Sequence, residues 1–392
     1  MRVDDSDRLV VGVARRGRPS FETGKGRPRR GALTKVLIVA ASMDIVGGQA
    51  VQAVRLIDHL KEETAVEVEF LPVNPRLPSV LRKLQAIKYV RTITTSSLYW
   101  LKLLTTVPDF DVIHIFSASY FSFLLAPVPA VIVSRLFGKK IILNYHSGEA
   151  EDHLQRWPRT SIPLLKCSDE IVVPSTYLVR IFSKFGLPAK VIFNVIDFER
   201  FTFRQREILR PVFFSNRNFE AHYGVDVVLR AFAVIQKRFR EASLKVAGNG
   251  PCRDTLHKLA ADLGLRNVAF LGTVAHEQMP ALYNEADCFL NGSRIDNQPL
   301  SILEAFASGL PVVTTNAGGI PDMVTDGVTG MVVEMDVHEA VAKAAIDLIE
   351  HPEIAARLVT EARKECRRYT WEAVRTQWLD VYGATDHTDD TT

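Results

Sequence analysis

The chain has 392 residues and 47% hydrophobic content, more than one hydrophobic core ordinarily serves, so two domains of ordinary size are expected. No apolar run reaches the roughly 20 residues of a membrane-spanning helix, and charges stand where a signal peptide has its apolar core, so a cytoplasmic location is expected. The net charge is +3, yet residues 1–30 hold nine Arg and Lys against four Asp and Glu, which leaves the rest at −2 and excludes the broad cationic face of a nucleic-acid-binding domain.

Residues 1–33, rich in Arg, Gly and Pro, cannot bury a core and read as a disordered basic leader. KVLIVAA (35–41) is an apolar run of strand length, and GGQAVQAVRLIDHLKEE (47–63) follows with helical spacing. Gly47 and Gly48 at that junction allow backbone to approach a ligand closely. A second strand spans 66–71. Residues 78–107 then mix Leu81, Leu84, Tyr99, Trp100, Leu101 and Leu104 with Arg82, Lys83, Lys88, Arg91 and Lys102, the pattern of one or two basic amphipathic helices. Such a face either covers a sheet with its charges in water, the favoured reading, or lies on an anionic membrane surface.

DVIHIF (111–116) is a strand with His114 in its apolar middle, a core position. KKIILNYHSGEAEDH (139–153) puts His146 at the C-terminal end of a parallel strand, where open α/β sheets bind ligands. Glu149, Asp152 and His153 behind it are either acceptor contacts or solvated groups. Ser175 caps the helix after EIVV (170–173), and residues 198–210 alternate charges and aromatics without a period, as a linker does. From PVFFSNRN (211–218) a second series of strands and helices alternates as a parallel sheet requires, with Arg217 just after its first strand. Cys167, Cys252, Cys288 and Cys366 are widely spaced and read as reduced structural thiols.

The most informative stretch is DNQPLSILEAFASGLPVVTT (296–315). Pro299 suits the first turn of a helix over 300–308 that stops at Gly309, followed by a buried parallel strand. The first N–H groups of that helix, at Leu300 and Ser301, form a seat for a diphosphate at the positive end of the dipole. Glu304, one turn in, can accept two hydrogen bonds from a vicinal diol such as a ribose, and Asp296 can reach a second hydroxylated group. The alternative is a capping or solvated role for both acids.

This string resembles the E-x7-E signature of the family 4 retaining glycosyltransferases, with Asp296 in place of the first glutamate, and the resemblance extends over about residues 35–382. It implies an α/β chain of GT-B fold, two facing Rossmann-like domains with a cleft between them. The acceptor-binding domain would span 34–197 and the nucleotide-sugar-binding domain 211–370, joined by the linker at 198–210. A terminal helix (371–384) would cross back to the first domain, ahead of a disordered tail (385–392). The resemblance further implies that Glu304 meets the ribose, Asp296 the donor sugar or its own loop, and Arg217 and the Gly47–Gly48 loop the diphosphate. His146 would stand beside the donor sugar and acceptor as a catalytic-site residue, and Asn297 and Gln298 would join the donor set. The family's Lys-Gly pair is replaced by Tyr223-Gly224, so His222 supplies partial charge or the diphosphate rests on Arg217 and helix ends. No metal and no cofactor beyond the donor are implied. The expected partners are a nucleotide-sugar donor, an acceptor that is a glycan, a lipid-linked or a small molecule, and, in the membrane reading, an anionic surface. A sugar-nucleotide epimerase of similar fold and a non-catalytic nucleotide-sugar-binding protein are the rival readings.

Overall fold

The computed structural model describes residues 33–42, 48–76, 88–117 and 119–384. The leader up to residue 32, the tail from 385, Gly47, Arg82 and Lys83 lie outside the described residues. The strands β1 (Thr34–Ala40), β2 (Val66–Pro72), β3 (Val112–Ser117), β4 (Lys140–Tyr145), β5 (Glu170–Val173) and β6 (Lys190–Val191) form a parallel sheet in the order β2-β1-β3-β4-β5-β6. A second parallel sheet joins β7 (Val212–Asn216), β8 (Ser243–Ala247), β9 (Val268–Gly272), β10 (Cys288–Leu290), β11 (Val312–Thr315) and β12 (Met331–Val333) in the order β12-β11-β10-β7-β8-β9.

The near-continuous apolar runs of these strands follow from burial on both faces. Side chains alternate across the first sheet. Leu37, Val39, Ile113, Ile115 and Leu143 enter a core closed by the helices Lys88–Thr106, Pro127–Leu136 and Thr176–Lys184. Val36, Ile38, Val112 and Ile142 enter the opposite core, shared with helix Gly48–Lys61 and the terminal helix Trp371–Tyr382. That terminal helix thus packs Trp371, Val374, Trp378 and Tyr382 on the first sheet although it follows the second in sequence. His114 is a core residue on this face, hydrogen-bonded through Nδ1 to the Tyr382 hydroxyl at 2.8 Å. Helix Lys88–Thr106 buries Tyr99 and Leu103 fully but leaves Trp100, Leu101 and Leu104 exposed, so it covers the sheet with only one of its apolar edges.

Residues 198–210 are firmly attached rather than a free tether. Arg204, Arg206 and Arg210 converge on the buried Asp287 carboxylate, and Arg206 Nη1 also donates to the carbonyls of Ser308 (3.1 Å) and Gly309 (2.7 Å). The aperiodic charge pattern therefore anchors the crossover to the C-terminal end of helix Leu300–Ala307.

In the second sheet the strand order reverses between β7 and β10. Loops at such a switch point splay apart and open a crevice at the C-terminal strand ends. The loop after β7 carries Arg217 and His222, and the loop after β10 carries Asp296 to Gln298.

Candidate functional site

The loop from β10 runs into helix Leu300–Ala307 through Pro299, which is the N-cap residue (φ −67°, ψ 113°) and not part of the first turn. Proline fits there because it has no N–H to satisfy and its fixed φ suits the extended approach to a helix. Gly309, at φ +68°, ends the helix. The loop is held down by close backbone packing. A Cβ at Gly318 would lie 2.0 Å from the Asp296 carbonyl oxygen, and one at Gly224 would lie 1.7 Å from that of Gly292. Only glycine permits those approaches.

Asp296 is engaged locally. Its Oδ2 accepts from Ser293 Oγ at 3.0 Å and from the Arg217 guanidinium, and its Oδ1 accepts from the Asn297 N–H at 3.0 Å. The shorter side chain keeps the charge at the loop, one of the two roles expected for it. Asn297 and Gln298, expected in the donor set, turn their side-chain oxygens to the first domain. Asn297 Oδ1 accepts from Ser175 Oγ, and Gln298 Oε1 accepts from the Asn194 N–H at 2.8 Å. Both also border the cleft, so they tie the donor loop to the first domain at the buried seam by supplying acceptors to the Asn194 N–H and the Ser175 hydroxyl. Asp322 adds a third link, accepting from Tyr177 N–H (2.6 Å) and Thr176 Oγ1 (2.7 Å) at the start of a first-domain helix.

Glu304 is 4% exposed. Its Oε2 accepts from the Tyr283 hydroxyl at 2.9 Å, and its Oε1 lies 3.7 Å from Arg55 Nη2. Burial pushes its pKa up, and the Arg55 charge and the Tyr283 hydrogen bond oppose that shift. Arg55 comes from the first-domain helix Gly48–Lys61 and is itself 5% exposed. It donates to the Val195 carbonyl (3.1 Å), pairs with Asp197 (3.2 Å) and meets His276 Nε2 at 3.0 Å. His276 is held neutral, its pKa lowered to about 4 by burial and by Arg55. Neither Arg55 nor Tyr283 was singled out by sequence reasoning. A signal existed for Arg55: with Gln52 it forms an i,i+3 polar pair inside the buried stripe of an amphipathic helix, and Gln52 exchanges hydrogen bonds with Val195 (2.8 and 2.9 Å).

Arg217 pairs with Asp296, and its guanidinium carbon sits 4.1 Å above the Tyr223 ring. Tyr223, which replaces the lysine of the Lys-Gly pair, therefore supplies a stacking platform for Arg217. His222 stands beside it, its ring 4.2 Å from that of Tyr223. From the first domain, the His146 ring stacks on Phe116 at 5.1 Å, and burial lowers its pKa to about 3, so the imidazole is neutral.

These residues border one cleft of about 1120 Å³, walled by Gly48, His146, Glu149, Arg217, His222, Asp296 to Ser301 and Glu304. The acceptor group divides. Glu149 lines the cleft, Asp152 pairs with Arg156 (2.8 Å) and Tyr120, and His153 is wholly buried with Nδ1 on the Tyr145 hydroxyl (2.8 Å). His153 is thus a core residue, corrected from the acceptor set. It falls on the inward face of the short helix Ala150–Arg156. Three buried polar atoms of the cleft residues have no protein partner: His146 Nε2, Arg217 Nε and Ser301 Oγ.

Comparison with known proteins gives matches over most of this architecture. Residues 46–200 match the model of glycosyltransferase family 4, and residues 199–365 that of the glycosyl transferases group 1. The chain is 29% identical over 270 residues to the GDP-mannose-dependent alpha-(1-6)-phosphatidylinositol monomannoside mannosyltransferase of Mycolicibacterium smegmatis, covering 63% of this chain and 69% of that protein. It is 26% identical over 278 residues to the alpha-D-kanosaminyltransferase of Streptomyces kanamyceticus, covering 64% and 72% respectively. In fold it is similar to Anabaena HepE, solved with UDP-glucose, with a TM-score of 0.72 at 18% identity over 90% of this chain and 100% of that one.

Proposed function

The chain belongs to the family 4 glycosyltransferases of GT-B fold, and from that premise we propose that it moves a sugar from a nucleotide-diphosphate donor to an acceptor hydroxyl with retention of configuration. The observation that carries this reading is one cleft of about 1120 Å³ bordered by His146 from the first domain and by Arg217, Asp296 and Glu304 from the second. Glu304 takes the ribose diol with the carboxylate lone pairs left by Tyr283 and Arg55. Arg217, freed by exchange of Asp296 for phosphate, and the first turn of helix Leu300–Ala307 with Ser301 Oγ hold the diphosphate. In relatives that carry the Lys-Gly pair a second cation stands here. In this chain the neutral ring of Tyr223 orients Arg217 instead.

In the transfer step the bond between the anomeric carbon and the diphosphate oxygen breaks, and the acceptor oxygen bonds that carbon on the same face. The acceptor's proton passes to the departing phosphate oxygen. His146, neutral, orients a hydroxyl by hydrogen bonding and forms no covalent bond. Charge building on the diphosphate is met by Arg217 and the helix end, so the step as drawn requires no metal. The solved HepE complex with UDP-glucose and the sugar-transferring relatives support a nucleotide-sugar donor.

The test is incubation with a panel of labelled nucleotide sugars, with proton NMR of the anomeric centre of any product. Transfer with retention is the expected result. Epimerised donor would favour the epimerase reading, inversion would refute the same-face step, and tight nucleotide binding without turnover would favour a non-catalytic binder.

A further inference from the structure

Helix Thr176–Lys184 of the first domain begins against the second domain, and its start is capped from both. Ser175, the N-cap, accepts from the Leu178 N–H at 3.2 Å, and its hydroxyl donates to Asn297 Oδ1 across the seam. The Tyr177 N–H goes instead to Asp322 Oδ2 of the second domain, at 2.6 Å. The same oxygen accepts from Thr176 Oγ1 at 2.7 Å, and Arg180 Nη2 lies 3.2 Å from the other oxygen of the carboxylate. Among the described residues, every hydrogen bond and ion pair of the Asp322 side chain is made to Thr176, Tyr177 and Arg180. A carboxylate at the positive end of a helix, with a guanidinium on its second oxygen, makes charge-assisted bonds, which are stronger than neutral ones.

Both sides of this link lead to the cleft. On the second domain, Asp322 ends the single turn Ile320–Asp322, which follows Gly318 and Gly319. A Cβ at Gly319 would lie 2.2 Å from the Asn297 carbonyl oxygen, and the Gly319 N–H donates to the Asp296 carbonyl at 3.1 Å. Asp322 is therefore tied to the loop that carries Asp296 and Asn297. On the first domain, the helix buries Leu178, Ile181 and Phe182, and the Phe182 ring meets that of Tyr145 edge-on at 5.1 Å. Tyr145 ends β4, and His146 follows it. One acid thus joins the strand end that presents His146 to the loop that presents Asp296.

We propose that Asp322 is a positioning residue for sugar transfer: it latches the start of helix Thr176–Lys184 to the donor loop and so fixes His146 relative to the sugar held by the second domain. Asp322 does not itself line the cleft, so it acts through the elements it joins. A cap that served the helix alone would come from its own domain, as Ser175 serves Leu178. This one exists only while the domains are together. Apart, Thr176 and Tyr177 lose their acceptor and Arg180 its counter-charge. The consequence for turnover rests on the transfer reading above.

The experiment is hydrogen–deuterium exchange, resolved to single amides, of the full-length protein and of Asp322→Ala without nucleotide. Amides that open in one cooperative unit exchange together. The Asn194 N–H, bonded to Gln298 Oε1 elsewhere on the seam, reports separation of the domains, and the Val195 N–H beside it, bonded to Gln52 of its own domain, is the control. Exchange at both Tyr177 and Asn194 should quicken by at least about tenfold in Asp322→Ala, while Val195 keeps the parent's rate. Asp322→Asn, which keeps an acceptor for Tyr177 but not the charge, should give a smaller increase, and Arg180→Ala one of the same sign. Faster exchange at Tyr177 alone would make Asp322 a local cap and overturn the proposal, as would unchanged exchange at both. With whichever labelled donor the parent turns over, Asp322→Ala should lower kcat by about tenfold or more at little changed KM. A loss carried by KM alone would place Asp322 in donor binding and refute the positioning role. Exchange is read without donor or transfer, so its failure and that of the transfer reading are distinguishable.

Discussion

Replacing Arg55 by methionine keeps the aliphatic stem and removes the guanidinium that joins Val195, Asp197, His276 and Glu304 across the seam between the two domains. Breaking a buried ion pair from one side costs about 3–5 kcal/mol, because the remaining charge is left buried. The lower end applies here, about 3 kcal/mol at neutral pH, because the Arg55–Glu304 contact is long at 3.7 Å and Tyr283 still donates to the carboxylate. The groups facing Glu304 are Arg55, Tyr283 and, at longer range, Arg200. Without Arg55 the already raised pKa of Glu304 rises further. A carboxyl with a raised folded pKa destabilises the fold above its ordinary 4.5, and the penalty disappears as pH falls below that value. The variant's deficit should therefore be largest near pH 7 and shrink in acid. His276 contributes in the same direction, because its lowered pKa, about 4 with Arg55 present, returns toward its usual range. Urea unfolding of both proteins between pH 4.5 and about 8 measures the difference. Nucleotide-diphosphate affinity in the variant should fall with pH as Glu304 protonates, where the parent's holds. A stability deficit constant across that range, with unaltered nucleotide affinity, would show that Arg55 acts by packing alone and refute the coupling.

Tyr223→Lys exchanges the ring beneath Arg217 for the cation that relatives carry, so nucleotide-diphosphate affinity by calorimetry should hold or increase. A clear loss would mean that the stacked Arg217–Tyr223 pair is itself the binding device. Asp287→Ala strands the three arginines that converge on it and should destabilise the second domain by about 3–5 kcal/mol in urea unfolding. A deficit under about 1 kcal/mol would place the crossover's anchorage in its backbone contacts instead.

The two parallel sheets were legible because strands buried on both faces leave continuous apolar runs, as in KVLIVAA and PVVTT, separated by helices of opposite periodicity. Helix Leu300–Ala307 was legible because proline and glycine bracket it, although Pro299 proved to be the cap. What the residues could not disclose were contacts made across the seam. Asn297 and Gln298 stand in a motif that points to a donor, yet their partners, Ser175 and Asn194, are more than 100 positions away. His153 is polar and follows a ligand-side strand, but the turn of a two-turn helix decides whether it faces the cleft or the core, and short helices carry too little periodicity to read. Arg55 finds Val195 and Asp197 within its own domain, but its contacts to Glu304 and His276 exist only with both domains present.

Calorimetry of a nucleoside diphosphate with the parent protein and with Glu304→Ala tests the central claim most directly, because Glu304 is the residue on which the donor reading turns. Loss of a charge-assisted hydrogen bond costs about 1.5–3 kcal/mol, so affinity should fall by about ten- to a hundredfold while the urea midpoint shows the variant still folded. Unchanged affinity in a folded Glu304→Ala protein would contradict the assignment of the ribose to this carboxylate and, with it, the orientation of the donor in the cleft.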